Sequence, residues 1–140
     1  MKKLSLFLAS LFISIFALAQ SPNNTPAQEA TNELVQVYQL DAKQTGEMLT
    51  IQERKYRNLE EIKDLKSTEP QTYILKMRNI QYAIEKSIMN MLNGEQKAIL
   101  QQKQMERRKK KAELYQQLKE QGLSEAVINS KIIEYELSEI

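Results

Sequence analysis

Between Thr31 and Ile140 the chain carries one proline, Pro70, and three glycines, Gly46, Gly94 and Gly122. Strands must be joined by turns, and turns draw on clusters of Gly, Pro, Asn and Asp. A stretch this long with so few of them cannot be punctuated into a β-protein, so the fold class it implies is all-α, built of long helices with few connections. The same scarcity rules out a glycine-rich phosphate loop. There is also no cysteine and no histidine. Disulfides, thiol nucleophiles, Ser-His pairs and imidazole metal ligands are therefore excluded. A hard-cation site would need carboxylates, and no alternating Asp/Asn loop closed by a Glu is present. The expectation is a non-enzymatic protein with no cofactor and no metal, because paired-carboxylate chemistry is all that remains and the many glutamates read as helix surface.

Two pentapeptides mark where long helices begin. In LDAKQ, Leu40 to Gln44, and LNGEQ, Leu92 to Gln96, a short polar side chain (Asp41, Asn93) stands at an N-cap position. Three residues later a glutamine (Gln44, Gln96) is placed to reach back to the cap's own N–H, which is a capping box written twice. The first of these helices is expected from Asp41 to about Lys66, after a short preliminary turn carrying Leu34, Val35, Val37 and Tyr38. Its apolar face is Met48, Leu49, Ile51, Tyr56, Leu59, Ile62 and Leu65. KSTEPQ then predicts a new start, with Thr68 and Gln71 at cap spacing and Pro70 in the first turn. The helix that follows has the cleanest core stripe, Tyr73, Met77, Ile80, Ile84, Ile88 and Met91, flanked by Ile74 and Leu92. A short connection and two facing stripes imply an antiparallel hairpin. A third long helix runs from Asn93 to near Gly122, a suitable C′ residue. A short C-terminal helix capped by Ser124 closes the chain, with Val127, Ile128, Ile132 and Tyr135 as its expected contacts.

The N-terminus reads as an address. Lys2 and Lys3 precede an apolar run from Leu4 to Leu18, and Ala17-Leu18-Ala19 forms a small-x-small cleavage signal. The run falls short of the roughly 20 apolar residues of a spanning helix, so residues 1–19 read as a secretory signal peptide cut after Ala19. No stable membrane insertion is expected after cleavage. Removal takes away all three phenylalanines, and the 20 Lys and Arg fall by two to match the 18 Asp and Glu. A formally neutral mature chain gives no general reason to bind nucleic acid or an anionic membrane. Residues 20–31, polar and holding Pro22 and Pro26, read as a flexible leader, and 32–140 as a single helical domain.

Two features remain outside this helical economy. Leu75, Tyr82 and Met89 recur at intervals of seven on the second long helix, opposite its core stripe. They read either as residues packing beneath a neighbouring helix or the tails, or as a surface for a second subunit or an apolar ligand. In the third helix the stripe begun by Ile99 and Leu100 and ended by Leu114 and Leu118 is interrupted by Lys103, Arg107 and Lys110. The five cations Arg107, Arg108, Lys109, Lys110 and Lys111 spread around the axis. They read as a solvated arm, as a binding element for acidic or unfolded partners, or, least favoured, as a nucleic-acid contact, which export and the lack of interleaved aromatics oppose.

An export signal, no cysteine, long amphipathic helices and two L-x-x-x-Q elements about fifty residues apart resemble the LTxxQ-motif family, the Spy/CpxP-like small helical proteins of the bacterial periplasm. The motif positions are Leu40, Asp41 and Gln44, then Leu92, Asn93 and Gln96. Asp and Asn stand where the family has threonine, and all three serve as N-caps. The resemblance covers about Leu34 to Leu118. It implies a periplasmic helical hairpin that dimerises into a shallow cradle, acting as an ATP-independent chaperone for unfolded envelope proteins or, as in CpxP-like members, damping an envelope-stress sensor. Metal binding by some relatives is not expected here without His and Cys. A homodimer is expected on physical grounds too, since two long helices around one narrow stripe bury little apolar surface per residue.

Overall fold

The computed structural model describes residues 24–139, so the signal peptide read at 1–19 and residues 20–23 of the leader lie outside the described residues. Within that span there are six α-helices and no strand: α1 Pro26–Tyr38, α2 Ala42–Ile62, α3 Leu65–Thr68, α4 Pro70–Met91, α5 Gly94–Glu120 and α6 Glu125–Ser138. None of the helices among the described residues is long and apolar enough to cross a membrane.

The first departure from expectation is α1. Residues 26–31, expected as leader, form its first half, with Ala27 and Thr31 buried. Thr25 accepts a hydrogen bond from the Gln28 N–H, and the Gln28 side chain accepts one from the Thr25 N–H, so a third capping box opens this helix. Pro26 occupies the first turn, where a missing N–H costs nothing. The expected preliminary turn is therefore a helix of 13 residues. It ends at Gln39 in the left-handed region (φ 51), where the N–H groups of both Gln39 and Leu40 donate to the Val35 carbonyl. A left-handed glutamine is unusual in a position that favours glycine. The closure swings Leu40 into the core beside the start of α2.

α2 and α4 form the expected antiparallel hairpin. Antiparallel pairing shows in the long-range bonds: Gln44 Nε2 donates to the Met91 carbonyl at one end, and Arg54 donates to Ser87 Oγ further along. Met48, Ile51 and Ile62 of α2 meet Tyr73, Met77, Ile80, Ile84 and Ile88 of α4 in one apolar cluster. Each fully buried Ile or Met contributes roughly 1.5–3 kcal/mol of transfer free energy, so this stripe is the main source of stability. Leu59, Leu65 and Met91 pack at its margin and are half-buried.

The connection differs from the sequence reading. The helix from Asp41 stops at Ile62, and α3 is a separate turn. Ser67 and Thr68 donate their hydroxyls to the Asp64 carbonyl, local bonds that compete with a continuous α-helical ladder. Because Thr68 is still inside α3, it does not cap Gln71. Glu69 takes the N-cap position with no side-chain bond and is held out of the helical region (φ −139) ahead of Pro70.

Beyond Leu92, α5 leaves the hairpin and α6 folds back along it. Gly122 adopts the left-handed conformation (φ 71) at the C′ position of α5, and the Leu123 N–H reaches the Leu118 carbonyl. Lys66 pairs with Glu134 at 2.6 Å, Lys111 with Glu136 at 2.6 Å, and Tyr115 donates to Glu125 at 2.9 Å. These contacts set α6 parallel to α4 and antiparallel to α5, so that it lies between them. Its buried side chains are Ile128, Ile133 and Leu137. Of the expected contacts only Ile128 is among them. Val127 is exposed, and Ile132 and Tyr135 are half-buried. α6 is apolar on most of its sides, so spacing alone does not select the inward one, and packing between two helices does.

Candidate partner-binding face

The six motif residues meet at one end of the hairpin. Asp41 Oδ1 accepts from the Gln44 N–H at 2.8 Å, and Asn93 Oδ1 from the Gln96 N–H at 3.0 Å. Each glutamine carbonyl oxygen in turn accepts from its own cap's N–H, at 3.2 Å for Gln44 and 2.9 Å for Gln96. The two side chains then exchange hydrogen bonds with each other: Gln44 Nε2 donates to Gln96 Oε1 at 2.7 Å, and Gln96 Nε2 donates to Gln44 Oε1 at 2.9 Å. Two helix starts 52 residues apart are thereby tied through one closed amide pair. Leu40 and Leu92, one residue ahead of each cap, are both buried beneath it. This assembly positions α2, α4 and α5 relative to one another. Its glutamine amides are taken up by one another and by the caps, an arrangement that holds helix starts together.

The second apolar line of α4 is open to solvent. Leu75, Tyr82 and Met89 are 62 %, 68 % and 46 % exposed, which excludes the reading that they pack beneath a neighbouring element among the described residues. Helical spacing interleaves them with Arg78 and Lys86, both exposed, at steps of three and four residues. The result is a strip, Leu75, Arg78, Tyr82, Lys86 and Met89, in which apolar and cationic side chains alternate along one side of a helix. Arg78 and Lys86 were missed as members of this surface. The signal that finds them is the i+3/i+4 step from each apolar residue.

Arg78 also borders a groove of about 610 Å³ between α4 and α5, floored by α6. On the α5 side the groove is lined by Arg108, Lys111, Ala112 and Tyr115. Met105, 57 % exposed, stands on the same helical strip as Arg108 and Ala112, three and seven residues before them. The basic run thus divides by direction. Arg108 faces the groove, while Lys109 and Lys110 point to solvent. Lys111 is half-buried and engaged with Glu136.

Arg107 departs most from its expected role. It is 8 % exposed and its guanidinium lies 3.0 Å from Glu85 of α4, so it belongs to the interior and is removed from the accessible partner surface. Leu100, Arg107 and Leu114 fall seven residues apart on one line, so the residue that seemed to break the stripe occupies its middle place. Burial is possible because Glu85 neutralises it across the α4–α5 gap. Tyr38 of α1 is close enough to feel both charges: burial pushes its hydroxyl pKa up, with Arg107 opposing and Glu85 adding. Lys103 points away from the groove and lines a different cavity, beside Lys55 of α2. Lys55 and Gln52 are buried members of the α2 face that hydrophobic periodicity did not mark.

Of the nine residues expected to form a partner surface, Leu75, Tyr82, Met89 and Arg108 are gathered along α4 and its groove. Lys103, Lys109 and Lys110 are exposed elsewhere on α5, and Arg107 and Lys111 are engaged in ion pairs. Compared with protein-family models, curated proteins and solved structures, the chain matches none of them.

Proposed function

We propose that this is an exported, periplasmic helical binding protein that holds unfolded or partly folded envelope polypeptides without nucleotide. One observation carries the reading: the exposed strip Leu75, Arg78, Tyr82, Lys86 and Met89, on a helix whose opposite side is fully committed to the core. Unfolded chains expose apolar side chains with backbone and carboxylate acceptors nearby, and a strip alternating apolar and cationic groups meets both without selecting a sequence. A large apolar residue left in water at three successive heptad positions serves no packing purpose within the described fold. The resemblance to the LTxxQ family supports the same reading, as does the closed Gln44–Gln96 pair, which makes the motif a device for holding helices in place and leaves binding to the surface of α4.

A dedicated partner is the second reading, favoured by the groove lined by Arg78, Arg108 and Tyr115, which is shaped for one acidic helix or strand more than for many clients. An aggregation-suppression assay with a chemically denatured client, residues 20–140, no ATP and a salt titration separates the two. Suppression at near-stoichiometric ratio that weakens with salt is the expected result. Absence of suppression by a folded, helical sample refutes the holding function and leaves the single-partner reading, to be pursued by capturing that partner from the envelope. The protein is also proposed to act as a homodimer, and sedimentation at several concentrations tests this.

A further inference from the structure

The inward edge of α2 runs Met48, Ile51, Gln52, Lys55, Leu59 and Ile62. Lys55 stands four residues after Ile51 and four before Leu59, where helical spacing calls for an apolar side chain, and it is 3 % exposed. A buried ammonium is tolerated when a carboxylate sits against it. Among the described residues no carboxylate oxygen lies within 4.0 Å of its Nζ. Its neighbour Tyr56 offers a ring face 5.2 Å away, and Glu33 acts on it only from a distance. Burial pushes this amine down to about 8, and Glu33 opposes the change without cancelling it. α2 therefore holds a cation that meets an aromatic face and no carboxylate of the described residues in ion-pair range.

That cation forms part of the wall of a half-open cavity of about 310 Å³ bordered by α1, α2, α5 and the end of α6. The cavity grades from cationic to acidic outward. Lys55 and Arg107 are the buried charges, whereas Glu29, Glu33 and Glu139 are all exposed at the mouth, with Lys103 beside them. Leu34 and Val37 of α1 supply an apolar wall, and Tyr38 and Tyr56 add aromatic surface. The volume is near the lower end of what small-molecule sites use. Arg107 is already engaged by Glu85, which leaves Lys55 as the charge available to an occupant.

We infer that this cavity is a binding site for a small organic monoanion, a carboxylate on a short apolar body, with the carboxylate against Lys55 and the body against Leu34, Val37 and Tyr56. A dianion such as phosphate is disfavoured because it must pass three exposed glutamates, and it makes no use of the apolar wall. A neutral apolar molecule leaves the buried ammonium as it was. The site lies away from the Leu75–Met89 strip and does not rest on the holding function, so either can fail alone.

The test is a calorimetric titration of the protein, purified as the cell processes it, with benzoate and with hexanoate, against benzyl alcohol and inorganic phosphate. Saturable one-to-one uptake of a carboxylate is expected. Lys55→Met should weaken it at least about tenfold with far-ultraviolet circular dichroism unchanged, and Lys103→Met, at the mouth, by no more than about threefold. Should Lys55→Met fail to fold, Lys55→Gln keeps a polar group there and should show the same loss. Benzyl alcohol or phosphate binding as tightly as the carboxylates overturns the inference. So does an unchanged affinity in the folded Lys55 variant, or no uptake by the folded protein at millimolar ligand.

Discussion

α4 and α5 are consecutive in the chain, 22 and 27 residues long, and they are held in place by different forces. α4 buries Tyr73, Met77, Ile80, Ile84 and Ile88, a continuous apolar stripe against α2. α5 buries Gln96, Leu100, Arg107 and Leu118. Between its two leucines it depends on charge: Arg107 on Glu85, and Lys111 on Glu136. A helix whose middle is polar all round can still be docked if its neighbours supply the counter-charges, but such docking responds to conditions that leave an apolar stripe indifferent. The hairpin is the rigid body of the molecule, and α5 is an arm whose attachment is conditional.

The largest expected effect breaks the apolar side. Ile84→Ala removes a side chain with no exposed surface from the centre of the stripe and should cost about 3–4 kcal/mol, read as a shifted urea midpoint with the whole molecule unfolding together. A loss below about 1 kcal/mol would show that α4 is not the principal core helix. Next is the charged side. Glu85→Gln leaves Arg107 buried without its partner and should cost about 2 kcal/mol, less than for a fully buried pair because the Glu85 side chain is 27 % exposed. Hydrogen exchange should place that loss in the amides of α5, with α2 and α4 retaining their protection. Uniform loss across all three helices would erase the distinction between body and arm.

A third prediction concerns pH. Lys55 is depressed to about 8 in the fold against 10.5 in the unfolded chain, so between those values the unfolded state binds the extra proton and stability rises with pH. From about pH 7 to 9.5 the gain should be roughly 1–2 kcal/mol in chemical denaturation, and Lys55→Met should abolish it. The upper end of the window is set by Tyr38 and Tyr56, whose raised pKa values work in the opposite direction above pH 10. A wild-type curve flat between pH 7 and 9.5 would mean that Lys55 is solvated or paired in solution. The smallest effect on stability belongs to the surface. Leu75, Tyr82 and Met89 changed together to serine should each alter stability by no more than about 0.5 kcal/mol while abolishing client holding in the aggregation assay. Collapse of helicity in that variant would assign the strip to the core.

What the sequence disclosed follows the same divide. Apolar stripes and caps are local patterns, so the α4 core, the boxes at Asp41 and Asn93, and the turn at Gly122 were legible from residue spacing. The box at Thr25 has the same spelling, but Pro22 and Pro26 beside it pointed to a leader, when a proline in the first turn is what a helix start favours. The strip on α4 was legible as a line, and its exposure was not, because exposure depends on which helices arrive. Arg107 was misread and Lys55 was passed over for a common reason: each is a cation at an apolar position, and only what lies across the fold, Glu85 in one case and a cavity in the other, determines what such a residue does. Nothing in the local spelling of α6 selects Ile133 and Leu137 over Val127 and Ile132.

The amide pair between Gln44 and Gln96 has a consequence for where such a molecule can work. Three of the other ties between helices are ion pairs, Lys66–Glu134, Glu85–Arg107 and Lys111–Glu136, and acid or brine loosens them. An amide presents a donor and an acceptor together, so two glutamines complete each other without any charge to protonate or screen. The starts of α2 and α5 are thus joined by a fastening that the surrounding medium cannot titrate. Whatever acid or salt does to the ion pairs farther along α5, its first turn keeps the same seat against α2.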